Sequence, residues 1–131
     1  MKRDSYVSDS PWESIIGYSR LAKCGPHVFI SGTTSIDEKG DVVGLRNPYL
    51  QTKQIIHIIE KSLKRINADL KDIVRTRIFV TNIDDWNLIG KAHSEFFKDI
   101  HPATTMVEVK RLILPGLLVE IEADAILTDP K

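Results

Sequence analysis

The chain has 131 residues, of which 42% are apolar and 27% charged, the composition of one folded domain rather than of a disordered or two-domain chain. Lys plus Arg is 18 and Asp plus Glu is 18, so the formal net charge is zero, which weighs against a nucleic-acid partner because phosphate binding draws on a basic surface. The longest apolar runs are a few residues, too short to cross a membrane.

The first dozen residues are polar and are expected to be loose until Trp12 anchors them. Segment 14–22 (SIIGYSRLA) reads as a short strand interrupted by Gly17, and Gly25-Pro26 as a turn. Segment 27–33 (HVFISGT) reads as a strand with Val28 and Ile30 on one face and Phe29 and Ser31 on the other. Asp37 to Gly40 (DEKG) forms a turn. Asn47-Pro48 then starts a helix, with Asn as cap and Pro at the first helical position. Ile56, Ile59, Leu63 and Ile66 recur at spacings of three and four, Ile55 and Ile58 widen that stripe, and the helix ends near Ala68. Lys61, Lys64 and Arg65 on it read as a solvated outer face.

Segment 73–81 (IVRTRIFVT) is a β-branched strand, with Val74, Thr76, Ile78 and Val80 on one face and Ile73, Arg75, Arg77 and Phe79 on the other. Asp84 or Asp85 caps a second helix that carries Trp86, Ile89, His93, Phe96 and Phe97. Segment 104–110 (TTMVEVK) is a strand, Pro115-Gly116 a turn, and 117–127 (LLVEIEADAIL) a long strand. The expected fold class is therefore α+β, in the order β-β-α-β-α-β-β. Two helices cover only one face of such a sheet, so the other face calls for a partner subunit.

Single residues carry less. Cys24 has no partner for an internal disulfide and no neighbour that marks it as a reactive thiol. His27, His57 and His101 form no recognisable ligand set, and no paired Cys/His spacing suggests zinc, so no metal is expected. His93 reads as a capping or packing histidine, and Trp12 and Trp86 as packing or interface residues. The N-terminal MKRDSYVSDSPWES has no apolar stretch of the secretory type, so a cytoplasmic location is expected by elimination.

Four segments stand together in one order: GYSR at 17–20, ISGTT at 30–34, HSEFF at 93–97, and PATTMVEV at 102–109 followed by LLVEIEADAI at 117–126. In this combination the chain resembles the RidA/YjgF family, also called L-PSP endoribonuclease, from about Gly17 to Ile126. The resemblance implies a chorismate-mutase-like fold and a homotrimer whose sheets pack into a central barrel, with one small-molecule cleft at each subunit interface. It also implies hydrolysis of reactive enamines and imines, such as 2-aminoacrylate, to a 2-oxo acid and ammonia, without metal or organic cofactor.

By the same resemblance, Tyr18, the Ser31-Gly32 pair and Thr33 line the cleft, and Glu120 helps place the attacking water. Period-two geometry sets Leu118, Glu120, Glu122 and Asp124 on one strand face. In the deaminase members an arginine stands two residues after the proline of P-A-R-S and grips the substrate carboxylate as a two-point fork. Here that position is Thr104, one neutral hydroxyl, with Met106 on the same strand face. Gly90 stands where those members carry an asparagine. Arg20 and Arg111 are candidates for a displaced cationic anchor. Efficient 2-aminoacrylate deamination is therefore not expected.

Three functions compete: a cofactor-free hydrolase or deaminase on another imine or enamine, a non-catalytic metabolite-binding trimer, and, ranked last, an endoribonuclease or translation inhibitor.

Overall fold

A computed structural model describes residues 1–128. Six strands form one sheet in the order β1-β2-β3-β6-β4-β5. They are β1 (Arg3–Tyr6), β2 (Leu21–Cys24), β3 (His27–Thr34), β4 (Ile73–Val80), β5 (Ala103–Glu108) and β6 (Val119–Ile126). β4 and β5 are parallel, joined through a helix, while the other neighbours run antiparallel. Helices α2 (Pro48–Lys64) and α3 (Trp86–Phe97) pack on one face of the sheet. Between them and the sheet lies the core, in which Ile55, Ile56, Ile59 and Leu63 of α2 and Ile89 and Phe97 of α3 meet Val28, Ile30, Ile78, Val80, Val119 and Ile121.

The alternation expected for the sheet is present. Val119, Ile121, Ala123 and Ala125 are buried under the helices, and Leu118, Glu120, Glu122 and Asp124 turn to the open face. That face also carries Phe29, 51% exposed, and Arg77, whose Nη1 lies 3.1 Å from Asp124 Oδ2 and 3.6 Å from Glu122 Oε1.

Three expectations are corrected. The N-terminal segment is not loose: Arg3–Tyr6 pairs antiparallel with β2, and Arg65 Nη1 donates to the Val7 carbonyl at 2.8 Å. Segment 14–22 is not one strand. Pro11–Ile16 forms a short helix, α1, with Pro at its start, and Gly17 ends it at φ 92° before β2 begins at Leu21. A left-handed residue after a helix is the usual place for glycine. In β4, a bulge between Ile73 and Arg75 inserts Val74, so Ile73 rather than Val74 joins Thr76, Ile78 and Val80 on the buried face.

The Asn47 side chain caps α2 by accepting from the Leu50 amide at 3.0 Å. One turn in, the fully buried Gln51 ties two loops together. Its Nε2 donates to the carbonyls of Gly44 (3.1 Å) and Gly116 (2.9 Å), and its Oε1 accepts from the Leu118 amide (2.8 Å). Gln51→Leu keeps the volume but strands all three backbone groups. We expect it to cost about 2–4 kcal/mol, measured by urea unfolding, since each buried unpaired group costs about 1–3 kcal/mol.

Candidate functional site

β3 does not run straight into its pairing with β6. Ile30 pairs with Ala123 and Thr33 with Ile121, so Ser31 and Gly32 together stand opposite Glu122. This bulge turns two carbonyls to one side, and Arg20 meets them: its Nη2 donates to Ser31 O at 2.7 Å and Gly32 O at 2.8 Å. The Ser31 hydroxyl donates back to the Ser19 carbonyl at 2.7 Å. Arg20 is only 8% exposed and its Nε has no partner among the described residues. Burial lowers its pKa, against the opposing influence of Tyr18, Glu13 and Glu120. Arg20 is thus a cation held inside the wall of the site.

Glu120 lies across the strand from Thr34, with its carboxylate over Gly32. A Cβ at Gly32 would overlap Glu120 Oε2, so the glycine makes room for the acid. Burial raises the Glu120 pKa, Arg20 pulls it down, and Glu122 adds a smaller upward push. A carboxyl group so placed is more basic than a solvated one and can take and return a proton. Tyr18 is half-buried, its amide donating to the Glu13 carbonyl at the end of α1. Tyr18 and Glu120 both act electrostatically on Arg20, which clamps Ser31 and Gly32, so these five residues form one cluster. Thr33 instead turns into the core, 1% exposed, its hydroxyl donating to the Ser31 carbonyl at 2.9 Å.

Thr104 and Met106 lie elsewhere, on the edge strand β5 opposite Thr76 and Ile78 of β4. They point to the helix side of the sheet, whereas Glu120 sits on the open side and two strands away. Thr104 Oγ1 is 2.8 Å from Thr76 Oγ1, which is 3.0 Å from His93 Nε2 on α3. Arg111 is exposed in the loop after β5. His93 was legible only as a packing residue, because its partner Thr76 is distant in sequence. Its ring does pack on Phe97, with centroids 4.5 Å apart.

Burial depresses the His93 pKa from 6.5 to about 4. The sign follows from proton counting: between these values the unfolded chain binds a proton that the folded one does not. Stability from this group is complete above pH 6.5 and lost as the pH falls toward 4, by about 3 kcal/mol at most. Glu120, with its raised pKa, acts in the opposite sense on acidification. We therefore expect His93→Gln to flatten the fall in unfolding free energy between pH 6.5 and 4 relative to the wild type, as read from urea curves across that range.

Among the described residues, no group of three or more His, Cys, Asp or Glu side chains is placed to hold a metal ion, and no helix is long and apolar enough to cross a membrane.

Comparison with known proteins agrees with this architecture. The family model described as Endoribonuclease L-PSP matches residues 8–127. A solved structure from Mycobacterium tuberculosis, a member of the YjgF/YER057c/UK114 family, is 44% identical and superimposes with a TM-score of 0.86, covering 96% of this chain and 100% of that one. An uncharacterized protein of Streptomyces coelicolor is 33% identical over 90% of this chain and 87% of its own length. The 3-aminoacrylate deaminase RutC of Acinetobacter baylyi is 31% identical over 82% of this chain and 85% of its own. With a family match over residues 8–127 and a 44%-identical family structure that superimposes along almost its whole length, the chain belongs to the RidA/YjgF family.

Proposed function

We propose that this protein is a cofactor-free hydrolase that releases ammonia from an imine or enamine other than 2-aminoacrylate, in clefts between the subunits of a homotrimer. The observation that carries this reading is Glu120, a half-buried carboxylate with a raised pKa, held over Gly32 beside Tyr18 and the buried Arg20. The chemistry needs one such group. On a protonated imine, Glu120 takes a proton from water as the water oxygen bonds to the imine carbon and the C=N electron pair moves to nitrogen, giving a carbinolamine. It returns that proton to nitrogen, then takes the hydroxyl proton as the C–N bond breaks, leaving a carbonyl and ammonia, and releases that last proton to solvent.

The positions of the expected cleft residues favour a site between subunits. Thr104 and Glu120 lie on different strands and opposite faces of one sheet, so a small ligand touching both needs a second copy of the chain. The uncovered face, with Phe29 and the Arg77 ion pairs, is the surface such copies would bury. The deaminase activity named for the Acinetobacter relative supports the reaction class.

A non-catalytic binding trimer is the second reading, favoured by the neutral hydroxyl at Thr104. The experiment is sedimentation velocity together with ammonia release from a panel of generated imines and enamines. A trimer that accelerates release for at least one substrate supports the proposal. Rates equal to buffer throughout, with a ligand still bound, favour the second reading, and a monomer removes both.

A further inference from the structure

Thr76, Thr104 and His93 form a line of hydrogen-bonding groups that starts at the sheet's edge and ends under α3. Thr104 is exposed, Thr76 is 1% exposed, and the imidazole is half-buried against Phe97. Among the described residues, the side-chain partners within this line are only its own members, at 2.8 and 3.0 Å, and a longer contact joins Thr104 Oγ1 to the Pro102 carbonyl at 3.4 Å. No charged side chain takes part.

Proton counting fixes what the outer end can offer. Each hydroxyl has one proton, and a neutral imidazole has one. When Nε2 carries it, His93 donates to Thr76, Thr76 donates to Thr104, and the Thr104 proton, held only by its long 3.4 Å contact with the Pro102 carbonyl, is free to turn to a ligand. When Nδ1 carries it, Thr76 donates to Nε2, Thr104 donates to Thr76, and Thr104 turns lone pairs outward. The outer face is a donor in one tautomer, an acceptor in the other, and uncharged in both. A carboxylate uses only the donor state, through one bond from an uncharged donor, with no cation to offset its desolvation. A primary amide or a hydroxyl uses either state.

We propose that Thr104, Thr76 and His93 are a relay that recognises a neutral polar group, an amide or hydroxyl, on the ligand, with His93 as the positioning residue that sets its polarity. This rests on the reading above that the β5 edge lines the ligand cleft. It narrows the substrate to an imine or enamine bearing such a group where a carboxylate would otherwise sit.

The test uses pyruvamide and pyruvate, a neutral and an anionic probe of nearly the same shape, titrated into nitrogen-15-labelled full-length protein. Pyruvamide is expected to bind at least tenfold more tightly, to shift the Thr104 and Thr76 amides, and to move the His93 ring nitrogens toward one tautomer. Thr104→Val should abolish the preference. His93→Phe, which keeps the packing on Phe97, should lose it, and His93→Gln, whose amide can donate or accept, should retain most of it. Pyruvate binding as tightly as pyruvamide overturns the relay, as does a preference that survives Thr104→Val or His93→Phe. Shifts at Gly32 and Glu120 with none at Thr104, Thr76 or His93 also overturn it, while leaving the cleft intact. Shifts in neither region remove relay and cleft together. An amide preference without ammonia release from any imine supports the relay and sinks the hydrolase reading.

Discussion

Thr104→Arg is expected to raise kcat/KM for 2-aminoacrylate by about 10- to 100-fold over the wild type. The guanidinium would present two parallel N–H donors to the substrate carboxylate where the native side chain presents one neutral hydroxyl. A hydrogen bond to a charged group is worth about 1.5–3 kcal/mol, so the second bond of the fork corresponds to about 10- to 100-fold at 1.36 kcal/mol per tenfold in rate. Thr104 is exposed on an edge strand, so the larger side chain has room and the fold should bear it. Ammonia release from freshly generated 2-aminoacrylate is the measurement. A folded variant with no gain would mean that this position does not face the substrate's anionic group in the present chain.

Glu120→Gln carries the other large effect. The amide keeps the shape but has no basic oxygen able to take the water's proton, and general base catalysis contributes about 10²- to 10⁴-fold. Ammonia release from the best wild-type substrate should fall by that factor, while unfolding free energy stays level or rises, because the lost charge was one that burial disfavoured. Gly32→Ala is the companion. The backbone there needs no left-handed φ, and the atom in the way is the far end of a flexible side chain. The fold should survive and the carboxylate should move, with a loss of activity smaller than that of Glu120→Gln. Full activity in both variants would leave Glu120 a wall residue with no part in the chemistry.

How far the residues announced all this depended on the range over which their physics acts. α2 was legible because Asn47, Pro48 and the isoleucine stripe are local signals, and the structure uses each of them. β6 was legible because its acids and aliphatics alternate without a break. The α1 segment was misread because a six-residue helix is too short to show a period. Ile15 and Ile16, 73% and 64% exposed, then passed for strand residues. β1 stayed hidden because four polar residues become a strand only when β2 lies beside them. Val74 was placed on the wrong face because a bulge shifts alternation by one, and nothing within β4 itself marks it.

The site divides in the same way. Tyr18, Ser31, Gly32 and Glu120 could be named through family resemblance, and they converge. The part Arg20 plays, clamping two carbonyls, depends on a bulge that periodicity does not reveal. His93 needed β4 and α3 to be packed together before its hydroxyl neighbour existed.

The position of β6 has a consequence for biosynthesis. It lies between β3 and β4 yet follows both in the chain, so a ribosome has made five strands before the one that joins them. Until it arrives, β3 offers a bare edge carrying Val28 and Ile30, and β4 one carrying Ile78 and Val80. Such edges recruit neighbouring chains, and closure across so long a stretch is slow. The nascent protein is therefore prone to aggregation until β6 has been made and is free to pair, and holding factors that shield unpaired strands would matter most in that interval.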